Sequence, residues 1–401
     1  MSEIPEQPSG LFERAGVAKP PPAPRPDAEW QIPGPGGQGG IARVYLGQGN
    51  AALQRPVILS DGFNSGPSDF DAFWHGINGR DFAFADQLRA RGRDLILLGY
   101  AERSASILQN AEVATHCIVR AIAERLGPSP LLVGGFSMGG LITRYALARM
   151  ETDGLDHQTS VYLSFDSPHR GASILVALQS LAHFLTGFPA MSRQINSPAS
   201  RQLLWRHIES VEAIPREDPL RTAFLAELQR VGDWPRRPRT LAVANGRGDG
   251  QGNGVPAGAI ALECTQGAFE PTTLRTQSPD SRVVLAHLKG PLQEKEVRSR
   301  GLPAIDGAAG GLLESFGIAA DNLTVPLLDL QAVAHHRSIC FVPTISAVSS
   351  HDINEENLRV KVNELDPEQI DVDDFICSSD NTLHAKMTVE LGNWVLERLP
   401  H

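Results

Sequence analysis

The pentapeptide Gly135-Phe136-Ser137-Met138-Gly139 fits the pattern G-x-S-x-G. It follows the apolar run "PLLV", and the residues after it have the apolar spacing of a helix. A serine on so tight a turn from strand to helix is held in an unfavourable backbone conformation and projects its hydroxyl above the sheet. The flanking glycines leave room for backbone that a Cβ would strike. The motif therefore predicts that Ser137 is a nucleophile.

A glycine-rich phosphate turn or a simple packing turn is the alternative interpretation of this stretch. A phosphate site would be expected to carry G-x-G-x-x-G or a Walker lysine, and neither accompanies the turn. The position between an apolar strand and a helix favours the catalytic interpretation.

Short apolar runs alternate with helical patterns along most of the chain. The runs are "ARVYLG", "RPVILSDG", "RDLILLGY", "PLLVGGF", "SVYLSFD" and "TLAVANG". Near-continuous apolar strands separated by helices indicate a mostly parallel central sheet with helices on both faces. The strand pattern alone would fit a nucleotide-binding Rossmann fold equally well, so the turns must distinguish the two.

Three segments depart from this alternation. Residues 1–40 are rich in proline and glycine and are predicted to be an N-terminal extension, disordered or extended, before a folded domain of residues 41–401. Residues 174–235 are rich in Leu, Phe and Ala and are predicted to be an inserted helical cap. Residues 255–350 mix strand-like runs with glycine-rich loops and are predicted to be a further insertion.

The composition narrows the function classes. The chain has 36 Lys and Arg against 46 Asp and Glu, a formal net charge of −10, which argues against a nucleic-acid-binding surface. It has no signal-peptide pattern and no apolar run of about 18 residues, so no transmembrane segment is expected. The four cysteines are scattered without CxxC pairs and are predicted to be reduced core residues, which favours a cytoplasmic location.

No metal or other cofactor is expected. His335 and His336 are adjacent, but no carboxylate or cysteine follows them at the spacing of metal ligands.

Four stretches together resemble α/β-hydrolases of the lipase and esterase group. They are "RPVILSDGFN", "GGFSMGGLITRYAL", "VYLSFDSPHRGA" and the terminal "NTLHAKMTVELGNWVLERL". "SMGGL" is typical of lipase elbows, and "PHRG" is similar to the P-H-x-G stretch of many lipases. The resemblance covers about residues 55–250 and the last thirty, and it implies a triad in the chain order Ser, acid, His.

A serine hydroxyl needs a base to take its proton. The resemblance implies that this base is His384, in the polar loop "SSDNTLHAK" before the last helix, although a surface or helix-capping role is also open to it. His351 is the main alternative base. His169, in "SPHRG", is expected to lie near the cleft as a structural hydrogen-bonding residue.

The resemblance leaves more than one aspartate for the acid. Asp249 follows "TLAVANG" in an arrangement similar to the acid loop after the seventh strand, and Asp166 ends the preceding strand, where some lipases carry the acid. We favour Asp249 over Asp166, with Asp374 a more distant alternative. Without a catalytic role, Asp166 would be a turn carboxylate and Asp249 a residue of a flexible loop.

An oxyanion hole requires two backbone N–H groups. The resemblance implies that Met138, after the nucleophile, supplies one and that Phe63, or else Asn64, supplies the other. Asp61 stands where many lipases have a histidine.

The resemblance implies a serine hydrolase that cleaves a carboxylic ester through an acyl-enzyme on Ser137. An apolar cap favours a small-molecule or lipid-like ester with a lipophilic acyl or alcohol part. An acyltransferase or cyclase would use the same residues, and a non-catalytic binding protein of the same fold is a further alternative. A stripe of the cap could line the acyl site or pack the cap onto the body; it comprises Leu175, Leu178, Leu181, Leu185 and Phe188.

Overall fold

The computed structural model describes residues 19–186 and 189–400 of the 401-residue chain. Its strands are β1 (Ala28–Ile32), β2 (Gly40–Tyr45), β3 (Pro56–Ser60), β4 (Asp94–Tyr100), β5 (Leu131–Phe136), β6 (Thr159–Phe165), β7 (Arg239–Arg247), β8 (Ile260–Gln266), β9 (Thr273–Arg275), β10 (Val284–Lys289), β11 (Glu294–Arg298), β12 (Gly310–Leu313), β13 (Gln331–Ala334), β14 (Ile339–Pro343) and β15 (Asp374–Ser378). Its α-helices are α1 (Phe70–Ile77), α2 (Phe84–Ala90), α3 (Ile107–Glu124), α4 (Met138–Thr152), α5 (Val176–Phe184), α6 (Pro189–Ile195), α7 (Pro198–Leu203), α8 (Pro219–Arg230), α9 (Ser315–Leu323), α10 (Thr344–Ala347) and α11 (Val389–Arg398).

The main sheet has eight strands in the order β1-β2-β4-β3-β5-β6-β7-β15. The six strands from β4 to β15 run parallel, while β1 and β2 are antiparallel at one edge. Side chains alternate between two cores: Ile58 packs with residues of α3 and α4, whereas Val57 and Leu59 pack with residues of α1, α2 and α11. This confirms the predicted parallel sheet with helices on both faces.

The sheet begins earlier than the sequence pattern predicted. Strand β1 pairs with β2 along its whole length, and its Trp30 and Ile32 are buried in the core. The prediction that the fold starts near Ile41 is therefore wrong, because the alternation of apolar and polar residues in "AEWQI" lies inside a segment otherwise dominated by proline and glycine. Residues 1–18 lie outside the described residues.

Helices α5 to α8 occupy the segment predicted to be a helical cap. Its leucine stripe is buried in one core with strands of the region that follows, including Leu262 of β8, Leu274 of β9 and Leu288 of β10. The stripe therefore packs the helices onto the rest of the molecule, which was one of its two interpretations. Phe188, the last member of that stripe, lies outside the described residues.

The insertion at residues 255–350 contains a second sheet. Its five strands are antiparallel in the order β11-β10-β9-β8-β13, and a separate antiparallel pair is formed by β12 and β14. The sequence pattern did not predict this sheet. Its strands are three to seven residues long; β8 to β11 pair with their neighbours in the chain, and β8 also pairs with the distant β13.

All four cysteines are buried as free thiols, in agreement with the prediction of core cysteines. Within the described ranges, the helices are too short or too polar for any of them to cross a bilayer.

Candidate active site

Ser137 occupies the turn between the end of β5 and the start of α4. Its backbone has φ 54° and ψ −125°, a conformation that L residues rarely adopt. The turn is held on both sides, since the Ser137 N–H donates to the Phe165 carbonyl and the Gly140 N–H donates to the Ser137 carbonyl. The residue is only 9% exposed, so Ser137 is largely buried.

The glycines around Ser137 are required by close backbone approach. A Cβ on Gly135 would lie 2.3 Å from the carbonyl carbon of Gly139, and one on Gly139 would lie 2.4 Å from the Ser60 carbonyl oxygen. Neither distance is compatible with any side chain. The spacing of the motif thus reflects contacts across the turn and with β3.

The His384 ring joins Ser137 to a carboxylate. Its Nε2 lies 2.7 Å from Ser137 Oγ, and its Nδ1 lies 2.6 Å from Asp166 Oδ2. His384 is in the loop between β15 and α11, and the Phe341 ring packs edge-to-face on the imidazole with 4.9 Å between centroids. The three groups have the order nucleophile, base and orienting carboxylate that activates a serine.

Asp166 is fully buried just beyond the carboxyl end of β6, with φ 51°. Its Oδ1 accepts a hydrogen bond from the Asn245 N–H at 2.9 Å, while Oδ2 accepts from His384. Since both oxygens are bound, the carboxylate has a fixed orientation toward the imidazole.

Asp249 lies elsewhere, which corrects the preference drawn from the sequence. Its carboxylate is held by Arg247 through both Nε and Nη2, and it also accepts from the Gln251 N–H. The hydrogen bond from Arg247 lowers the pKa of Asp249 to about 2. The residue that contacts His384 is therefore Asp166, because the carboxylate of Asp249 is bound to Arg247, the last residue of β7.

The other candidates take no part in the contacts between Ser137, His384 and Asp166. Asp374 begins β15, at the opposite end of the parallel strands from the site, and pairs with Arg239 and Arg398. His351 makes no described contact with Ser137 or Asp166.

His169 is a buried hydrogen-bonding residue beside the end of β6. Its Nε2 lies 2.7 Å from Ser164 Oγ, and its Nδ1 accepts from Arg144 Nη1 at 3.1 Å. Burial, together with the charge of Arg144, holds the pKa of His169 well below its usual value. These contacts match the structural role expected for it.

Two backbone segments border the Ser137 hydroxyl. Met138 is the first residue of α4, so its N–H has no acceptor within the helix. A Cβ placed on Gly62 would lie 3.2 Å from Ser137 Cβ and 3.8 Å from Oγ, so the loop that carries Phe63 and Asn64 passes directly beside Ser137. The resemblance placed the two oxyanion donors in these same segments.

Asp61 begins this loop. Its Oδ1 accepts from the Gly62 N–H, and Oδ2 lies 3.7 Å from Arg103 Nη1. Desolvation raises the pKa of Asp61, although the charge of Arg103 opposes the rise.

The histidine loop is supported by β12, a contribution that the sequence did not reveal. The His384 N–H donates to the Leu312 carbonyl at 2.7 Å, and the Leu312 N–H donates to the Thr382 carbonyl at 2.9 Å. A Cβ on Gly311 would lie only 2.0 Å from Asp166 Oδ2. The insertion thus packs its backbone against both Asp166 and His384. The adjacent Gly310 and Gly311 inside a strand are the signal for such a close approach.

Asn245 ties the acid to the same loop from the other side. Besides the bond of its N–H to Asp166, its Nδ2 donates to Thr382 Oγ1 at 2.8 Å and to the Lys386 carbonyl at 2.9 Å. The Thr382 N–H in turn donates to the Asn245 carbonyl. The spacing between Asp166 and His384 is therefore set by β7 as well as by β12.

The mostly parallel eight-stranded sheet, with a strained serine turn after β5, has the architecture of the α/β-hydrolase fold. This assignment depends on the strand order and the turn of this chain.

In comparisons with known proteins, only solved structures are similar to this chain. No protein-family model matches the chain, and no curated protein matches it. Among solved structures, it is similar to an α/β serine hydrolase without a lid from Xanthomonas campestris, with 21% identity, TM-score 0.27, and 37% of this chain and 65% of that chain covered. It is also similar to carboxyl esterase 2 from Tuber melanosporum, with 12% identity, TM-score 0.35, and 61% and 72% covered. A third similar structure is an ester hydrolase from the metagenome of Lake Arreo, with 17% identity, TM-score 0.34, and 56% and 66% covered.

Proposed function

We propose that the protein is a serine hydrolase that cleaves a carboxylic ester through an acyl-enzyme on Ser137. The observation that supports this most directly is the placement of the His384 ring, 2.7 Å from the Ser137 hydroxyl and 2.6 Å from the Asp166 carboxylate. Such an arrangement has a specific use in acyl transfer, because it removes the hydroxyl proton as the oxygen attacks.

The reaction proceeds in two halves. Ser137 Oγ attacks the ester carbonyl while His384 Nε2 accepts the hydroxyl proton, and Asp166 stabilises the imidazolium that forms. The N–H groups of Met138 and Phe63 stabilise the negative charge on the carbonyl oxygen, and each lowers the activation free energy by about 3 kcal/mol. As the C–O bond breaks, His384 returns the proton to the alcohol. Water then attacks the acyl-enzyme while His384 takes its proton. As the bond between the acyl carbon and Ser137 Oγ breaks, His384 returns that proton to Oγ and the acid product leaves.

The substrate class follows from this chemistry. We assign the site a small-molecule or lipid-like ester, since the nucleophile needs only a carbonyl with an alcohol leaving group. The leucine stripe of α5 is buried against the second sheet, so it does not indicate which acyl chain the site accepts. The preferred acyl length has to be measured from hydrolysis rates. Aryl esters of rising acyl length provide that measurement.

A fluorophosphonate probe tests the proposed nucleophile. We expect the folded protein to take up one probe per chain, with the added mass on the peptide that contains Ser137, because the probe reacts only with an activated serine. Heat-denatured protein, in which the contact between His384 and Ser137 is lost, is the control and should not be labelled. Labelling on another serine, or none in the folded protein, would contradict the proposal.

Gly311→Ala tests the support that β12 gives the triad. The added Cβ would lie 2.0 Å from Asp166 Oδ2, so either the carboxylate or β12 must move. We expect kcat for an aryl ester to fall by about 100-fold, the cost of a displacement of about 1 Å in a catalytic group. Steady-state rates give the effect, and a thermal melt shows whether the variant is folded.

Gly76→Ala is the matched control, because a Cβ at Gly76 of α1 would meet nothing within 4 Å. It should keep the activity of the wild type. A folded Gly311→Ala protein with kcat within threefold of the wild type would show that β12 does not fix the acid.

A further inference from the structure

A cavity of about 390 Å³, apart from the candidate active site, is lined mainly by charged side chains. Ser137, Asp166 and His384 are absent from its lining. Its walls come from α4, from the loop after β6, from residues 205–233 and from the loop at residues 349–353. Four arginines face it, namely Arg144, Arg170, Arg206 and Arg221, and we call this cavity the arginine pocket.

Two of these arginines have carboxylate partners within the molecule. Arg144 pairs with Asp233 at 2.5 Å and also lies over the Trp234 ring. Arg170 pairs with Asp371 at 2.7 Å. Their charges are thus balanced by the protein itself.

Arg221 has no such partner among the described residues. It is only 3% exposed, and its Nη1 donates to the carbonyls of Gln202 and Leu203 at the end of α7. Its Nε is buried without an acceptor, and its Nη2 makes no hydrogen bond to the described part of the chain. Desolvation lowers the pKa of Arg221 to about 10. The contact with α7 therefore uses one edge of the guanidinium and leaves the other edge unused.

Arg206 is the second cation without an ion-pair partner in the described ranges. Its guanidinium lies 4.1 Å from the centre of the Trp205 ring, and Nη1 donates to the Trp205 carbonyl. The negative charge of Glu217 acts on both arginines, but Glu217 forms no ion pair with either of them. Its carboxylate accepts a hydrogen bond from the Thr222 hydroxyl. Two guanidinium groups thus border one cavity without an ion pair of their own, and Glu217 lines the same cavity as an opposing charge.

A buried, unpaired cation is costly, and a buried N–H without an acceptor calls for an explanation. Guanidinium groups bind carboxylates and phosphates with two parallel hydrogen bonds. We propose that the arginine pocket binds a small molecule through an oxyanion group, carboxylate or phosphate, held by Arg221 and Arg206. This site is separate from the one that holds Ser137 and does not depend on its activity.

Titration of the full-length protein with inorganic phosphate and with succinate tests the proposal. Both are added at constant ionic strength against sodium chloride, and binding is followed by calorimetry and by the melting temperature. We expect at least one anion to bind saturably and raise the melting temperature, as a ligand of the folded state must. A response to phosphate alone or to succinate alone identifies which oxyanion the pocket prefers.

Variants assign the binding to the pocket. Arg206→Gln removes one cation, and Arg221→Lys keeps the charge but removes the planar fork; each should weaken binding by about tenfold. Arg216→Gln is the matched control, since Arg216 is an exposed arginine of the same region paired with Glu209, and it should bind as the wild type does. If Arg221→Lys does not fold, Arg206→Gln decides alone. Absence of saturable binding to either anion, or unchanged affinity in the folded variants, would overturn the proposal.

Discussion

Ser137→Ala is expected to lower kcat for aryl ester hydrolysis by about 10⁶-fold, the loss seen when a serine nucleophile that acts with a histidine is removed. The reason is that the variant has no oxygen to form the acyl-enzyme, while the N–H groups beside it still bind the substrate. The side chain of Ser137 makes one described hydrogen bond, to His384, so the fold should survive. Initial rates with a series of esters and a thermal melt of each protein give the two measurements.

Ser210→Ala is the control for this experiment, because Ser210 is an exposed serine outside the triad. It should hydrolyse esters and react with the fluorophosphonate as the wild type does. If the Ser137→Ala protein kept turnover within tenfold of the wild type, the nucleophile would be another group and the proposed mechanism would fail.

The sequence revealed the parts of the site that depend on local structure. The turn at Ser137 is fixed by its own pentapeptide. Glycines are needed there because a strand-to-helix turn of this kind brings backbone so close that a Cβ would overlap it. The resemblance indicated His384 because it lies in a polar loop before the last helix, which the structure has as α11. In both cases the signal lies within about ten residues of the group concerned.

The acid could not be chosen in the same way. Asp166 and Asp249 both follow strands that are neighbours in the sheet, so strand periodicity gives them equal access to the site. What separates them is the positive φ of Asp166, which accompanies the turn of its carboxylate toward His384, and the ion pair of Asp249 with Arg247. The second of these was visible in "GRGD", where an arginine stands two residues before the aspartate.

The second sheet was not predicted from the sequence, for a different reason. Its strands are short, and although β8 to β11 pair with their neighbours in the chain, the sheet is completed by the distant strand β13. The separate pair of β12 and β14 also joins segments that are apart in the chain, and β12 contacts the loop of His384. Long-range pairing of short strands leaves little local pattern. The same property lets this insertion reach the site from the side and support Asp166 through the backbone of Gly311.

Asp166→Asn is expected to lower kcat by about 10⁴-fold, whereas Asp249→Asn should leave it within twofold. An asparagine at 166 can still accept from the Asn245 N–H, but it cannot hold His384 in the tautomer that accepts the Ser137 proton. At 249 the change removes only an ion pair with Arg247 at the surface, and such pairs contribute little. Steady-state rates on one ester and fluorophosphonate labelling rates should fall together for Asp166→Asn.

The pair of aspartate variants forms its own control, because both replace a carboxylate by an amide of the same size next to a neighbouring strand of the sheet. A fall in kcat for Asp249→Asn with full activity for Asp166→Asn would mean that Asp249, in the loop after β7, is the catalytic acid. That loop would then have to move toward His384 during catalysis. Equal, small effects from both changes would mean that His384 is oriented by the backbone of β12 alone, since its N–H is bound to the Leu312 carbonyl independently of either carboxylate. A large loss confined to Asp166→Asn is the result that the geometry of the imidazole requires, with Nδ1 directed at Oδ2 and Nε2 at the serine oxygen.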